Sequence, residues 1–446
     1  MNAPLELALT FHDLEQLSVE DRKLLLQRAE SNLTPFLEIV APIIETVRRD
    51  GDAAIVRYAR EIDGVDIDPA GIAATPADFD RAFAQVDAEL VAAIEYAVEN
   101  IRSFHEEQKP ESMWMREVRP GAFAGDRWKP IPSVACYVPR GKGAFPSVVM
   151  MTTVPAVVAG VPEICVVTPP GRNGDFDAAT LVAAKIAGVE TVYRVGGAVA
   201  VTAVAYGTAT VRRCAKIVGP GSPWVVAAKR LLAGVIDPGI PAGPSEAIVL
   251  ADETANGRVA ALDLLIEAEH GPDSSAFLVT SSRAVADEAI AAMPGYWQRM
   301  GTQRLDYASS VLCGPRGGIV LAPDMDTACA FVNDYAPEHL LIHSDEPFQW
   351  LGKIQHAGEI LLGEHTPITL GNFVLGPNAV LPTSGWAKTF SPLSVFDFMK
   401  RTGVGYVTGA AYPEMARHAK VLATYEGFDA HANAVSELRD DLLRAG

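Results

Sequence analysis

The segment Asp263-Leu264-Leu265-Ile266-Glu267-Ala268-Glu269-His270-Gly271-Pro272-Asp273 carries a carboxylate and an imidazole, Glu267 and His270, at i and i+3 in a run that reads as a helix. That spacing puts both side chains on one helix face, where they can reach a single metal ion. Further along, Tyr335-Ala336-Pro337-Glu338-His339-Leu340 sets an acid directly beside a second imidazole. Glu426-Gly427-Phe428-Asp429-Ala430-His431 offers another of each. Together, each beside Gly or Pro punctuation, they suggest a dispersed metal and acid/base site. Glu267, His270 and His431 with one more oxygen would form a mixed nitrogen and oxygen shell suited to zinc or a similar divalent ion. Glu338 and His339, on a turn stiffened by Pro337, can divide two proton-transfer tasks. The same motif also reads as a capped helix start. His12, His105, His343, His356, His365 and His418 read as ordinary surface or core histidines.

Several glycine-rich turns could cradle phosphate: Val195-Gly196-Gly197-Ala198, Val218-Gly219-Pro220-Gly221-Ser222 and Ala242-Gly243-Pro244-Ser245-Glu246. None completes G-x-G-x-x-G. As turns following strands they fit ligand binding at the C-terminal ends of a parallel sheet. Ser245 stands in G-P-S-E-A, not in the G-x-S-x-G of a hydrolase nucleophile.

The elements that must position these groups alternate. Helical periodicity dominates residues 36–108, with Ile39, Ile43, Ile44 and Val47 recurring before Gly51 and a second run from Val91 to Phe104. Ser18-Val19-Glu20-Asp21 resembles a helix start in an N-terminal arm, residues 1–34. From 131 the texture becomes β-branched runs, each ending at a Gly/Pro turn: Val134–Val138, Glu163–Thr168, Thr191–Val195 and Ala215–Val218. Helices such as Ala178–Ala187 and Val225–Leu232 fall between them. A second set comprises Ala247–Leu250, Ala276–Thr280, Ser310–Leu312, Ile319–Leu321 and Glu359–Leu362. This predicts an α/β protein of two Rossmann-like doubly wound domains. The expected division is 35–136 with 247–393 as one discontinuous domain, 137–246 as the dinucleotide-binding domain, and 394–446 as a helical dimerisation arm.

A chain of 446 residues is too long for one ordinary core. Its net charge of −18 disfavours nucleic acid and anionic membranes, both of which need clustered Lys and Arg. The scattered, odd-numbered cysteines (Cys136, Cys165, Cys214, Cys313, Cys329) imply free thiols and a cytoplasmic location. The most apolar stretch, Val148 to Val167, is broken by Pro155, Gly160, Pro162 and Glu163, so it reads as α/β core and not as a membrane span.

From about residue 36 to 435 the chain resembles the histidinol dehydrogenase family, zinc enzymes that use NAD to take a primary alcohol through an aldehyde to a carboxylate. The resemblance rests on Arg49-Asp50-Gly51-Asp52-Ala53-Ala54, Tyr137-Val138-Pro139, Phe145-Pro146-Ser147-Val148-Val149-Met150, Gly196-Gly197-Ala198, Ile217-Val218-Gly219-Pro220-Gly221, the Ala242–Glu246 turn, Ala268–Asp273, Ala336–Leu340, Gly376-Pro377-Asn378 and Leu381-Pro382-Thr383. It implies zinc ligands at Glu267, His270, Asn372 and His431. Glu338 and His339 would be the acid/base pair: His339 takes the alcohol proton and Glu338 helps activate water. Ser245 and Glu426 would touch substrate, and Tyr137 the dinucleotide. An intertwined homodimer is implied, in which Glu426 and His431 complete the partner's site.

The chain departs from the family's pattern where chemistry is done. Glu267 replaces a Gln and Asn372 an Asp, two changes that cancel in formal charge. Ala379 replaces a substrate-contacting His, which removes a polar group and enlarges the pocket. Val199 and Ser222 replace a Gln and an Asn that contact the dinucleotide. The pattern implies a working paralogue that oxidises an alcohol with a less polar body than histidinol. The alternatives are a true histidinol dehydrogenase, a catalytically inactive binding homologue and a metallohydrolase built on the same shell.

Overall fold

A computed structural model describes residues 8–28, 33–140 and 143–444. Among these, thirteen strands form three sheets. They are β1 (Phe11–Asp13), β2 (Met113–Arg119), β3 (Ala122–Pro130), β4 (Ser133–Tyr137), β5 (Glu163–Thr168), β6 (Val192–Arg194) and β7 (Lys216–Val218), then β8 (Glu246–Ala251), β9 (Ser275–Thr280), β10 (Gly317–Leu321), β11 (His339–His343), β12 (Glu359–Leu362) and β13 (Met399–Val407). The chain divides into two compact units, Met1–Lys109 with Ile131–Phe398, and Pro110–Pro130 with Met399–Gly446.

The first unit holds two wholly parallel sheets, ordered β6-β5-β4-β7 and β1-β10-β9-β8-β11-β12. Their central strands are buried along their length, as in Ser133–Tyr137 and Glu246–Ala251. Parallel strands covered on both faces by helices read as continuous apolar runs, which is why they stand out in the sequence.

Three expectations about this unit are corrected. Of the segment 35–136 expected to accompany 247–393, residues 35–61 pack instead against the other sheet. Helices Thr34–Asp50 and Asp52–Glu61 bury Val40, Ile44, Val47 and Ile55 in one core with Tyr137, Val199 and Ile217 of the four-stranded sheet's side. Ser310–Leu312 is the last turn of helix Thr302–Leu312, because a short apolar run does not distinguish a strand from a buried helix turn. The N-terminal segment is not only helical, since β1 adds a parallel edge strand beside β10. Its expected helix does form over Val19–Leu25, capped by the Ser18 side chain accepting from the Asp21 amide at 3.1 Å.

The second unit is an antiparallel sheet ordered β13-β3-β2, followed by helices Tyr412–Tyr425, Asp429–Asn433 and Glu437–Arg444. The C-terminal arm is therefore not purely helical: β13 pairs with β3 along its whole length. These strands alternate weakly between apolar and polar residues and are largely exposed, so they carried little periodic signal.

Candidate active site

Helix Gly257–Ala268 starts on Asn256, whose side chain accepts from the amides of Arg258 and Val259, and it buries Glu267 in its last turn. His270 follows one turn later, with its Nδ1 2.8 Å from the Glu267 carboxylate and 2.8 Å from Ser245 Oγ. Asn372, in the short helix Ile368–Phe373, donates from Nδ2 to Glu267 Oε1 at 2.9 Å. One turn upstream, buried Asp263 lies 3.1 Å from Nε2 of buried His343 on β11, misaligned for a hydrogen bond but close enough to tie helix to strand. His343 is thus a core histidine, as the sequence suggested.

Glu338 and His339 do not begin a helix. Helix Met325–Tyr335 ends at Ala336, whose φ of 52° turns the chain, and Pro337 prevents its resumption. His339 is then the first residue of β11. Its Nδ1 lies 2.9 Å from Glu359 Oε2, and its Nε2 is 3.9 Å from both Glu267 Oε1 and Glu338 Oε1. The Glu246 amide donates to Glu338 Oε2 at 2.9 Å. Arg28 in turn holds the Glu246 carboxylate at 2.8 Å, so the N-terminal segment buttresses the acid from behind.

These residues sit at the N-terminal ends of β8, β11 and β12. Ligand sites in a parallel sheet are expected after strands, but the turn Ala242–Glu246 leads into β8. The rule does hold for the other sheet. Tyr137 ends β4, and Gly196 and Gly219 follow β6 and β7. Gly219 has φ +110°, and a Cβ there would lie 2.2 Å from the Tyr137 carbonyl oxygen, so only glycine fits that turn.

Two cavities of about 460 Å³ each follow from this arrangement. One gathers Tyr137, Gly196, Gly197, Val199 and Ser222, with the Tyr137 hydroxyl accepting from the Gly197 amide at 3.2 Å. The other gathers Ser245, Glu267, His270, Glu338, His339, Asn372 and Ala379. Arg140 and Ser222 line both. The loop carrying Ala379 is pinned by buried Asn378, which donates to the Met151 carbonyl at 2.6 Å and accepts from the Val380 amide at 2.9 Å. Glu426 caps helix Tyr412–Tyr425 and His431 lies in helix Asp429–Asn433, both exposed and both in the other unit.

The electrostatics set the acids apart. Burial opposes ionisation of Glu267, yet the imidazoles of His270 and His339 and the Asn372 amide hold it down to about 2. Glu338, buried and flanked by Glu267 and Glu246, is pushed well above the usual carboxylate range despite the pull of His339. Burial lowers His339, but the hydrogen bond to Glu359 and the charges of Glu267 and Glu338 outweigh it and lift the imidazole to about 9. Two carboxyl groups pushed in opposite directions beside an imidazole form an arrangement that divides acid and base roles. A base must be neutral to accept a proton. If His339 is that base, kcat/KM rises with pH through the imidazole ionisation and levels off on its alkaline side. A pH–rate profile from 6 to about 10 checks the direction.

Among the described residues no three imidazole, thiol or carboxylate groups converge as a metal cage. The converging donors are instead one carboxylate, one imidazole and one carboxamide: Glu267, His270 and Asn372. An anionic oxygen held ionised in a buried site, with an imidazole nitrogen 2.8 Å away, fits a borderline divalent ion that replaces the proton between them. A fourth donor must come from elsewhere.

Glu359 was missed by the sequence reading, which took it only as the start of a strand. Its one signal is a lone acid heading the apolar run Glu359-Ile360-Leu361-Leu362. The Arg28–Glu246 pair, between residues 218 positions apart, left no signal at all.

A carboxyl and an imidazole at the ends of parallel strands, facing one cavity with a carboxylate–imidazole–carboxamide cluster, form in this α/β fold an arrangement suited to proton transfer. Comparison with known proteins specifies it. The histidinol dehydrogenase family matches residues 26–439. A histidinol dehydrogenase homolog of Cereibacter sphaeroides is 64% identical over 97% of this chain and 99% of that one. The histidinol dehydrogenase of Synechocystis is 45% identical, covering 96% and 99% respectively. The crystal structure of histidinol dehydrogenase from Elizabethkingia anophelis superposes with a TM-score of 0.92 at 30% identity, covering 97% of this chain and 98% of that one. The chain belongs to the histidinol dehydrogenase family.

Proposed function

We propose that this protein is a zinc- and NAD-dependent dehydrogenase that oxidises a primary alcohol other than histidinol, and that it works in the cytoplasm as a homodimer. The observation that carries this reading is the cavity in which Glu338 and His339 are kept while Ala379 forms part of the wall. A site built to bind an imidazole leaves hydrogen bonds unmade once its polar partner is an alanine methyl.

In the proposed chemistry the alcohol gives its hydroxyl proton to His339, and NAD, held along Tyr137, Val199 and Ser222, would supply the hydride acceptor that the oxidation needs. Where the oxidation continues to the carboxylate, Glu338 would help activate the water that adds to the aldehyde and His339 would take its proton, a second NAD being needed as acceptor. His339 accepts the proton in the first step through Nε2. Glu338, whose affinity for a proton is raised by burial, would move protons as water is activated. Glu267, His270 and Asn372, with His431 from a second protomer, would hold zinc, which when bound polarises the substrate oxygen as a Lewis acid. Ser245, hydrogen-bonded to His270, and Glu426 of the partner protomer would contact substrate. Tyr137, Val199 and Ser222 line the cavity assigned to NAD. The dimer reading is supported by the exposed apolar side chains Val421, Leu422, Tyr425 and Phe428 around Glu426.

The test is a panel of cationic, neutral and anionic primary alcohols, monitored by NADH absorbance with metal content measured alongside. Turnover of a non-histidinol alcohol, with histidinol poor, is expected. Histidinol turnover at ordinary enzyme rates overturns the substrate assignment, and no NADH from any alcohol overturns the enzyme assignment. Once a substrate is found, Ala379→His should raise its KM about tenfold or more, because the added ring reoccupies the cavity. An unchanged KM would place Ala379 outside the substrate's reach.

A further inference from the structure

We infer that Glu359 is a positioning residue for the proposed base: it fixes the His339 ring with Nδ1–H bound to its carboxylate, leaving Nε2 as the atom that accepts the substrate proton. This rests on the proposed dehydrogenase reading for its catalytic consequence, but its geometry stands on its own. In the parallel pairing of β11 with β12, His339 and Glu359 are direct register partners. The Glu359 amide donates to the Glu338 carbonyl at 2.9 Å, so backbone as well as side chain ties the acid to the acid/base pair. The carboxylate meets Nδ1 at 2.9 Å, and both side chains are buried. An imidazole whose Nδ1 is engaged in this way presents Nε2 in a defined orientation, the logic by which a buried carboxylate sets the tautomer of a catalytic histidine.

Two features argue against a merely structural pair. Glu359 Oε1 is buried without a hydrogen-bond partner, a cost that stability alone gives no reason to keep. The surroundings are also shaped to admit the carboxylate. At Gly371, one residue before Asn372, a Cβ would lie 2.8 and 2.9 Å from the two Glu359 oxygens. The short helix that presents Asn372 to Glu267 therefore leaves its closest backbone approach open for Glu359. A single glycine sets the spacing between the proposed metal side of the cavity and the support behind the base.

Glu359→Leu removes the acceptor at similar volume and touches neither substrate nor dinucleotide. With the full-length, metal-loaded protein and the alcohol identified by the panel, kcat should fall by about 10²-fold or more, with KM and NADH binding within about twofold. Gly371→Ala should lower kcat in the same direction by displacing the carboxylate, and it carries the test if Glu359→Leu does not fold. Histidine-selective 15N NMR supplies a readout independent of turnover, the His339 signals being those lost in His339→Asn. At a pH above the His339 ionisation, where the ring is neutral, the wild type should show a single Nδ1-protonated form, and Glu359→Leu a mixture of tautomers. An unchanged kcat, or a His339 15N pattern identical in wild type and Glu359→Leu, overturns the inference. If the wild type oxidises no alcohol but the 15N pattern responds as expected, the dehydrogenase reading fails and the positioning role survives.

Discussion

Replacing His339 with alanine is expected to lower turnover of the true alcohol by about 10²–10⁴-fold, the range for loss of a positioned general base. His339 is the one imidazole in its cavity held on both sides, with Nδ1 on Glu359 and Nε2 turned toward Glu267 and Glu338. The other imidazole there, His270, has its Nδ1 occupied by Glu267 and Ser245. Substrate KM and NADH affinity should change little, since the ring does its work as charge develops and not in the ground state. Steady-state kinetics with a parallel NADH titration separate these effects. A rate within a few-fold of wild type would remove His339 from the chemistry and leave Glu338 as the remaining base. Loss of NADH binding alongside kcat would mean that the substitution disturbed the fold near the cavity.

What could be read without coordinates divides along physical lines. The parallel sheets were legible because strands covered on both faces leave apolar runs, as at Ala276–Thr280 and at Glu163–Thr168, which runs into Pro169-Pro170-Gly171. The juxtaposition of Glu267 and His270 was legible because they lie only three positions apart, across the end of one helix and the turn that follows. The pairing of His339 with Glu359 was not, because it depends on the register of two strands, and nothing local in either segment fixes that register. The helix end at Ala336 hid β11 for a related reason. An Ala-Pro-Glu sequence suits a helix start, and only the left-handed turn of Ala336 shows that the preceding helix is finishing. Within the expected segment 35–136, the helices over 35–61 lie against the other sheet, a placement hidden in the sequence because amphipathic periodicity reports which face of a helix is buried, never against which partner. The antiparallel sheet β13-β3-β2 went unseen since strands exposed on most of their surface lose the alternation that betrays them.

The exchange of charge between Glu267 and Asn372 gives the second large effect. On the proposed zinc reading, Glu267 is the only anionic ligand on this chain, buried and held ionised with a proton affinity lowered to about 2. Glu267→Gln leaves a neutral donor set in a buried site, and a dication taken out of water without an anionic partner is strongly disfavoured. Metal affinity should fall by more than the roughly 10–100-fold seen for changes that only reorient ligands. Asn372→Ala removes a weak carboxamide donor and should cost less. Asn372→Asp alone sets a second carboxylate within hydrogen-bond distance of Glu267, where the amide now donates at 2.9 Å, so the metal-free protein should lose stability near neutral pH. Combining Glu267→Gln with Asn372→Asp returns the negative charge to the other ligand and should recover most of the lost affinity. Chelator competition on the four proteins, read as metal retained per chain, decides the matter. Equal losses in Glu267→Gln and Asn372→Ala, or a double variant no better than Glu267→Gln, would mean that the two substitutions are independent and that the charge was not relocated between them.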